Sequence, residues 1–237
     1  MLSGKIAIVT GAGRGIGEGI ARKLAQQEAT VICADVNESD ATQVASSLGH
    51  GAVGRKLDVS SSSDCDGLVA QVHERFGRLD VLVNNAGINR DAMLHKMTDE
   101  QWQQVLAVDL SGVFFMTRAA SRSMREARSG RIVNIASASW MGNIGQANYS
   151  AAKAGVVGLS RTAAKELARY QVTVNAICPG FIDTQMTRGI PENIREQQVA
   201  KIPLGRMGQP ADVAALVAFL ASDEAGYITG EVINVGG

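Results

Sequence analysis

The chain of 237 residues has little of what marks secreted, membrane or nucleic-acid-binding proteins. Its three cysteines are odd in number and lack CxxC spacing, so no disulfide framework is indicated. No apolar run approaches about 18 residues and no charged-then-apolar leader is present, so we expect neither membrane insertion nor export. Lysine plus arginine equals aspartate plus glutamate at 23 each, which offers no general attraction for nucleic acid. These absences favour a cytoplasmic protein that acts on a small molecule.

The sequence also lacks the patterns of a serine hydrolase and of a metal site. It contains no Gly-x-Ser-x-Gly elbow, and His50, His73 and His95 show no triad arrangement and no metal-ligand spacing. We therefore expect no metal.

Seven short apolar runs, mostly separated by helix-length segments, predict a parallel sheet whose strands are buried on both faces. Right-handed crossovers then place helices on both faces, giving an α/β, doubly wound Rossmann fold in a single domain over residues 1–237. In such folds ligands collect beyond the carboxyl ends of the strands. The predicted strands are Ile6–Val9, Val31–Ala34, Val53–Leu57, Leu79–Val83, Ile132–Ile135, Val172–Ile177 and Val232–Val235.

A glycine-rich turn follows the first of these strands. It contains Gly11, Arg14, Gly15, Ile16 and Gly17 and leads into a helical pattern. Glycines lack a Cβ atom, so the backbone can approach a pyrophosphate closely, and the helix N-terminus supplies unpaired N–H groups. With a strand before it and a helix after it, the turn predicts a dinucleotide site.

Two charged residues give opposite indications about the coenzyme. Asp35 ends the second strand, where a carboxylate accepts hydrogen bonds from the ribose hydroxyls of NAD and repels a 2′-phosphate. Arg14 is a basic residue within the glycine turn, and it leaves NADP(H) open because this slot is often basic in the NADP-dependent members of the family that the chain resembles, which is named below. We favour NAD(H), because a carboxylate beside a phosphate is costly whereas an arginine can point to solvent.

Further along the chain, Tyr149 and Lys153 stand four residues apart, and Ser137 ends a predicted strand just before them. Positions i and i+4 share one face of a helix, so the phenol and the ammonium project together. A tyrosine ordinarily loses its proton at about pH 10. Proton transfer at neutral pH therefore needs roughly 4 kcal/mol of preferential phenolate stabilisation, which an adjacent ammonium can supply. The three residues predict a proton-transfer site.

The Thr10-Gly-x-x-x-Gly-x-Gly turn and the downstream Tyr-x-x-x-Lys pair together resemble the short-chain dehydrogenase/reductase family over essentially the whole chain. The resemblance implies that Tyr149 exchanges a proton with the substrate oxygen and that Ser137 hydrogen-bonds the carbonyl. It also implies that Lys153 stabilises the phenolate and binds the nicotinamide ribose, while hydride passes directly between nicotinamide and substrate carbon.

The same resemblance adds cofactor contacts after the later strands. It implies an adenine contact at Asp58 and Val59, for which a helix-capping role of Asp58 is the alternative. It further implies contacts with the cofactor at Asn85, Ala86, Gly87, Pro179, Gly180, Ile182 and Thr184.

Two positions depart from the family pattern. The family usually has an asparagine as its fourth catalytic residue, and the matching position here is Asp109, whose negative charge is expected to alter the proton affinity of the site. Ser137 lies 12 residues before Tyr149, one fewer than the family's usual interval, which leaves Ser139 as a second candidate.

The motifs look most like the 3-oxoacyl-[acyl-carrier-protein] reductase branch, which normally uses NADPH and an acidic carrier protein. Arg128 matches one of its two basic docking positions, while the second position holds Tyr170 with Arg169 beside it. This second position weakens the case for a carrier protein. The resemblance implies a 3-oxoacyl thioester, on carrier protein or CoA, as the expected substrate. The alternatives are an NAD-dependent dehydrogenase of a small alcohol, sugar or diol, and a non-catalytic dinucleotide sensor.

Three further expectations concern the surroundings of the site. Glycines and prolines interrupt residues 184–210, which we interpret as a substrate lid, with a surface insertion without function as the alternative. The small or apolar surface of a helix over Ser150–Arg169 indicates cover by a partner subunit, with intramolecular cover as the alternative. The family resemblance implies a homodimer or homotetramer formed through this helix and its neighbour, Thr98–Ala127. An apolar substrate pocket is expected from Trp140, Met141, Ile144 and Met186, for which ordinary packing is the alternative.

Overall fold

The computed structural model describes Met1–Gly237 and contains one sheet of seven parallel strands in the order β3-β2-β1-β4-β5-β6-β7. All seven predicted strands are confirmed, with ends that differ by no more than two residues. The strands are β1 Ile6–Thr10, β2 Thr30–Asp35, β3 Val53–Lys56, β4 Val81–Asn84, β5 Gly130–Ile135, β6 Val172–Pro179 and β7 Val232–Val235.

Helices connect the strands and cover both faces of the sheet, as predicted for a doubly wound fold. They are α1 Gly15–Gln26, α2 Glu38–Ser46, α3 Ser62–Phe76, α4 Asp99–Leu106, α5 Gly112–Ala127, α6 Ala147–Leu167, α7 Gln185–Arg188, α8 Glu192–Val199 and α9 Pro210–Ala221. Short 3₁₀ turns lie at Leu94–Lys96, Ala138–Met141, Ala168–Tyr170 and Asp223–Ala225.

Each face of the sheet has its own core. Leu24 of α1 and Val217 of α9 pack in one buried cluster, and Val69 of α3, Met116 of α5 and Ala163 of α6 pack in the other. Both faces of the central strands are therefore removed from water, which is why those strands appear in the sequence as largely apolar runs.

Side-chain caps fix where several helices begin. Ser61 caps α3, because its Oγ atom accepts a hydrogen bond from the Asp64 N–H at 3.3 Å. Thr98 and Gln101 form a reciprocal capping box at the start of α4. The predicted helix Thr98–Ala127 is one continuous helical run, but a π-helical segment, Ala107–Ser111, separates α4 from α5.

The strand order reverses direction beside β1, which has β2 on one side and β4 on the other. Crossovers on opposite faces leave a crevice at the carboxyl ends of these strands, the usual ligand position in open α/β sheets. Thr10 and Asn84 end β1 and β4 there.

No helix has the length and apolar character needed to cross a bilayer. No group of three or more histidine, cysteine, aspartate or glutamate side chains is arranged to hold a metal ion. Cys33, Cys65 and Cys178 are buried free thiols, as expected for small hydrophobic core residues.

Candidate active site

The glycine turn between β1 and α1 forms a cradle that only glycine permits. Gly11 has a φ of +63°, and a Cβ atom there would lie 2.9 Å from the Ala86 Cα atom. A Cβ atom at Gly17 would overlap the carbonyl oxygen of Gly11. The turn and the amino end of α1 therefore leave room and N–H groups for a pyrophosphate, which fits a dinucleotide.

The loop after β4 holds this turn in place. Thr10 Oγ1 accepts hydrogen bonds from the N–H groups of Asn85 at 3.0 Å and Ala86 at 3.1 Å. In return, the Asn85 side-chain amide donates to the carbonyl oxygens of Thr10 at 3.0 Å and Gly11 at 3.1 Å. The predicted cofactor residues Gly11, Asn85 and Ala86 are thus brought together across the strand-order reversal.

Asp35 lies at the rim of the cradle. Its carboxylate accepts hydrogen bonds from the N–H groups of Gly13 and Asn37, each at 3.0 Å. A Cβ atom at Gly13 would lie 2.8 Å from the Asp40 Cβ atom and 3.0 Å from Asp35 Oδ2, so both acidic residues flank Gly13. Arg14 is exposed and makes no side-chain hydrogen bond or ion pair. Asp35 is thus held at the turn with Asp40 beside it, whereas the Arg14 side chain is exposed to solvent.

Asp58 and Val59 follow β3, at the same carboxyl ends of the strands as the glycine turn. Asp58 Oδ1 accepts hydrogen bonds from the N–H of Ser60 at 2.9 Å and from its hydroxyl at 2.6 Å. The cap of α3 is Ser61, so Asp58 shapes the turn before that cap. Val59 is buried against Gly112.

The segment after β6 lies across the glycine turn. Thr184 comes within 3.6 Å of the point where a Gly15 Cβ atom would lie. Pro179 is the last residue of β6, and the Gly180 N–H donates to the Val235 carbonyl oxygen at 2.9 Å. The predicted cofactor-binding residues after β1 and those after β6 therefore lie at one place.

Tyr149 and Lys153 lie in the first two turns of α6, with the Lys153 Nζ atom 5.3 Å from the centre of the Tyr149 ring. Lys153 is buried and donates to the Ile135 carbonyl oxygen at 3.1 Å, two residues before Ser137. Ser137 Oγ accepts the Ser139 N–H at 3.1 Å. Phenol and ammonium thus adjoin the end of β5, from which Ser137 follows.

Asp109 also reaches this ammonium. Its Oδ2 atom lies 3.1 Å from Lys153 Nζ, and its Oδ1 atom accepts the Ile88 N–H at 2.8 Å. The Asp109 side chain is fully buried. A Cβ atom at Gly87 would lie 2.7 Å from Asp109 Oδ2, so glycine is needed beside this carboxylate.

Burial and charge act together on the pair. Burial alone lowers the pKa of Lys153, but the negative charges of Asp109 and the Tyr149 phenolate outweigh it and raise that pKa above its ordinary value. Burial raises the pKa of the Asp109 carboxyl, against the opposing effects of Lys153 and the Ile88 N–H. Lys153 is therefore a charged ammonium at neutral pH.

Comparison with known proteins agrees with this geometry. A family model described as enoyl-(acyl carrier protein) reductase matches residues 11–237. The 3-oxoacyl-[acyl-carrier-protein] reductase FabG of Vibrio cholerae is 45% identical over 237 residues, which are 100% of this chain and 97% of that relative. The chain belongs to the short-chain dehydrogenase/reductase family.

Two further relatives carry the same name. The FabG of Escherichia coli K12 is 46% identical over 235 residues, covering 99% of this chain and 96% of that protein. The FabG of Thermotoga maritima is 44% identical over 241 residues, covering 100% of this chain and 98% of that protein. As a short-chain dehydrogenase/reductase, the chain is an oxidoreductase that uses a nicotinamide cofactor to interconvert a ketone and a hydroxyl group.

Sequence reasoning missed a residue that positions Tyr149 within this short-chain dehydrogenase/reductase site. Asn148 is fully buried, and its amide donates to the carbonyl oxygens of Arg90 and Gln101, each at 3.0 Å. Its Oδ1 atom accepts the Tyr149 N–H at 2.8 Å. Asn148 therefore ties the first turn of α6 to α4 and to the loop after β4.

A buried polar network beneath the site was also missed. The Asn84 amide donates to Asn134 Oδ1 at 2.8 Å and to Thr117 Oγ1 at 3.1 Å, and the Asn134 amide donates to Ser160 Oγ at 2.8 Å. The network links β4, β5, α5 and α6. Its signal in the sequence is an asparagine at the end of one apolar run and within another.

Around the mouth of the site, Met141, Ile144 and Met186 are exposed and Trp140 is half-buried. The Asn89 amide donates to the Met186 sulfur at 3.3 Å, which connects residues 184–210 to the loop after β4. At the base of that segment Ile182 is buried and pairs with Gly208 in a parallel bridge. The segment contains α7 and α8 and begins beside the glycine turn.

Proposed function

We propose that this protein is a reductase of 3-oxoacyl thioesters, with the reverse oxidation of 3-hydroxyacyl thioesters as its back reaction. The proposal draws on the named activity of relatives that match the whole chain. The observation that carries it is the buried Lys153 ammonium held 5.3 Å from the Tyr149 ring. A buried cation beside a phenol is suited to proton transfer onto a carbonyl oxygen.

The residues divide the proton chemistry among them. As the carbon–oxygen double bond becomes a single bond, Tyr149 gives its proton to the oxygen and the Lys153 ammonium stabilises the phenolate left behind. Ser137 Oγ already accepts the Ser139 N–H, so its own proton remains available for a hydrogen bond to the same oxygen. When bound in the glycine cradle, a reduced nicotinamide supplies the hydride that the carbonyl carbon receives.

We propose NAD(H) as the preferred coenzyme. Asp35 and Asp40 flank Gly13 on the side where the turn meets β2, and a 2′-phosphate placed near them would face two carboxylates. Repulsion between like charges within a few ångströms disfavours such a complex. The exposed Arg14 is the residue that would favour NADP(H).

The surface also offers a docking place for an acidic carrier protein. Arg125 and Arg169 lie 4.7 and 4.8 Å from the centre of the Tyr170 ring, and both donate to its hydroxyl, at 3.0 and 2.7 Å. Arg128 donates to the Arg169 carbonyl oxygen at 3.2 Å. The sequence departure at Tyr170 is therefore compensated by a neighbouring guanidinium. We call Arg125, Arg128, Arg169 and Tyr170 the arginine cluster.

The arginine cluster lies near the amino ends of the strands, whereas Tyr149 lies near their carboxyl ends. Arg169 and Tyr149 are separated by the length of α6, about 30 Å at 1.5 Å per residue. We therefore propose that a docked carrier serves the site of a neighbouring subunit in a homodimer or homotetramer. Localisation in the cytoplasm stays a prediction.

The experiment is turnover of 3-oxoacyl groups on CoA and on carrier protein with NADH and NADPH, beside a panel of small ketones, sugars and alcohols. We expect the thioesters to be reduced fastest, and Tyr149→Phe to lower kcat by about 10²- to 10⁴-fold. Tyr227→Phe, at a fully exposed phenol, is the matched control and should keep full activity. An unaffected rate in Tyr149→Phe would overturn the catalytic assignment. Dinucleotide binding without turnover would identify a sensor.

A further inference from the structure

The catalytic ammonium has a carboxylate partner that is sealed from water. Asp109 lies in the π-helical segment between α4 and α5, a local widening that often occurs at functional positions. Its side chain is 0% exposed and that of Lys153 is 4% exposed, with 3.1 Å between Oδ2 and Nζ. Solvent therefore does little to screen the interaction between these two charges.

Few other titratable groups face this pair. From α6, the Tyr149 ring lies beside the ammonium. From β6, the Cys178 thiol interacts with Lys153, and burial raises the pKa of that thiol, so it is neutral at neutral pH. The β5 and β4 ends contribute only the Ile135 carbonyl oxygen and the Ile88 N–H. Both Asp109 oxygens face N–H donors, the Lys153 ammonium and the Ile88 N–H, so the ion pair holds this side chain as a carboxylate against the effect of burial. The fixed charges next to Tyr149 are thus one positive and one negative.

This balance has a direct consequence for the phenol. An isolated ammonium attracts the negative charge of a phenolate. It therefore typically lowers the pH at which the phenol is half ionised by about one to three units. A carboxylate held against the same ammonium repels that charge and opposes the effect. The net attraction on the Tyr149 phenolate is therefore smaller than Lys153 alone would give.

We propose that Asp109 is a positioning residue that fixes Lys153 and offsets its charge, so that Tyr149 keeps its proton to a higher pH and acts as the acid of ketone reduction. The direction of catalysis in this inference rests on the proposed function. The electrostatic effect of Asp109 on Tyr149 does not, and it is measurable without a substrate.

The direct test is a phenolate titration. The near-ultraviolet absorbance of the chain, minus that of its Tyr149→Phe variant, isolates Tyr149 from the other two tyrosines. The same difference is then measured in an Asp109→Asn background, where the side chain keeps its shape and loses its charge. We expect the Tyr149 midpoint to fall by about 1 pH unit or more in Asp109→Asn. An unchanged or higher midpoint would overturn the proposal.

Kinetics provide the second readout. The kcat/KM for oxidation of a 3-hydroxyacyl thioester needs the phenolate, so its rise with pH should begin at lower pH in Asp109→Asn, by the same shift as the absorbance midpoint. If the Tyr149 midpoint moves but neither the unmodified protein nor any variant turns over a thioester, the electrostatic inference stands and the proposed function fails. If thioesters turn over and neither readout moves, the proposed function stands and this inference fails.

A matched control separates charge from mere folding. Asp80 is also a buried carboxylate that accepts a backbone N–H, from Ile6 at 2.8 Å, but it lies at the other end of the sheet. Asp80→Asn should leave the Tyr149 midpoint and the pH profile where they are, whatever it does to thermal stability. A shift of equal size in Asp80→Asn would overturn the proposal. Asp109→Ser, which is also neutral, replaces Asp109→Asn if the latter does not fold.

Discussion

The cofactor cradle and the proton-transfer site are built in different ways. The cradle is largely backbone: glycines at a turn, the amino end of α1, and an Asp35 carboxylate that accepts two N–H groups at a partly exposed rim. The proton-transfer site depends on side chains that are buried and charged, Lys153 and Asp109. The cradle accommodates its ligand through the shape of its backbone, whereas the proton-transfer site acts through the electrostatic interactions of its side chains.

This difference determines how each region responds to change. A substitution at the rim of the cradle alters only the contacts of that residue, because solvent is available to relax around it. Removal of one partner of a buried ion pair leaves the other charge uncompensated, which typically costs about 3–5 kcal/mol of stability. A substitution at the rim of the cradle can therefore change coenzyme preference without disturbing the rest of the site. A substitution at Asp109, Lys153 or Tyr149 changes the electrostatic environment of the other two residues.

Among substitutions in the cradle, we expect the largest effect from one that adds a Cβ atom where the turn has no room for it. In Gly17→Ala the new methyl group overlaps the Gly11 carbonyl oxygen, so the turn is pushed out of place. Strain of this kind typically costs about 1–3 kcal/mol, and we expect NADH affinity to fall by about 10- to 100-fold in a fluorescence titration.

Gly67→Ala is the control for that change, because nothing lies within 4 Å of a Cβ atom at Gly67 in α3. It should leave NADH affinity unchanged and raise thermal stability slightly, since alanine favours the helix. Equal NADH affinity in Gly17→Ala and the unmodified chain would show that the cofactor does not lie on this turn.

An intermediate effect is expected at the rim. In Asp35→Ala a carboxylate at the rim of the cradle is lost. On the proposed preference for NAD(H), the ratio of kcat/KM with NADPH to that with NADH should rise by about tenfold, equivalent to about 1.4 kcal/mol. Asp35→Ala combined with Asp40→Ala should raise the ratio further. Asp66→Ala, which removes a partly exposed carboxylate on α3 that pairs with Arg122, is the control. A chain that already works faster with NADPH before any substitution would favour Arg14 as the selecting residue.

Sequence reasoning served the cradle better than the proton-transfer site for a physical reason. Strand, glycine turn and helix follow one another within residues 6–26, so their arrangement is encoded locally. The strands β1 and β6 are buried throughout. An uninterrupted apolar run marks β1, and β6 is marked by a run in which only Thr173 and Asn175 are polar. Tyr149 and Lys153 were also accessible, because an i, i+4 spacing fixes their face on a helix.

The Asp109–Lys153 ion pair was not accessible in this way. The residues are on different elements, and their contact depends on the π-helical segment that the sequence pattern represents as ordinary helix. The resemblance identified Asp109 as a departure but gave no geometry for its side chain. Asn148 and Asp40 were missed for the same reason, since their roles arise from residues that are distant in the chain.

The smallest effect should come from the arginine cluster, which is exposed and belongs to neither region. Single exposed charge pairs are worth about 0.2–1 kcal/mol, so Arg128→Gln and Arg169→Gln should each raise KM for a 3-oxoacyl carrier protein by about two- to fivefold. The KM for the matching CoA thioester should not move, because CoA lacks the carrier surface. Arg22→Gln, at an exposed arginine paired with Glu18, controls for loss of surface charge. The difference between carrier and CoA should shrink as salt is added, since exposed charges are screened. Equal changes in KM for both thioesters would place the arginine cluster outside carrier docking and leave the reductase assignment intact.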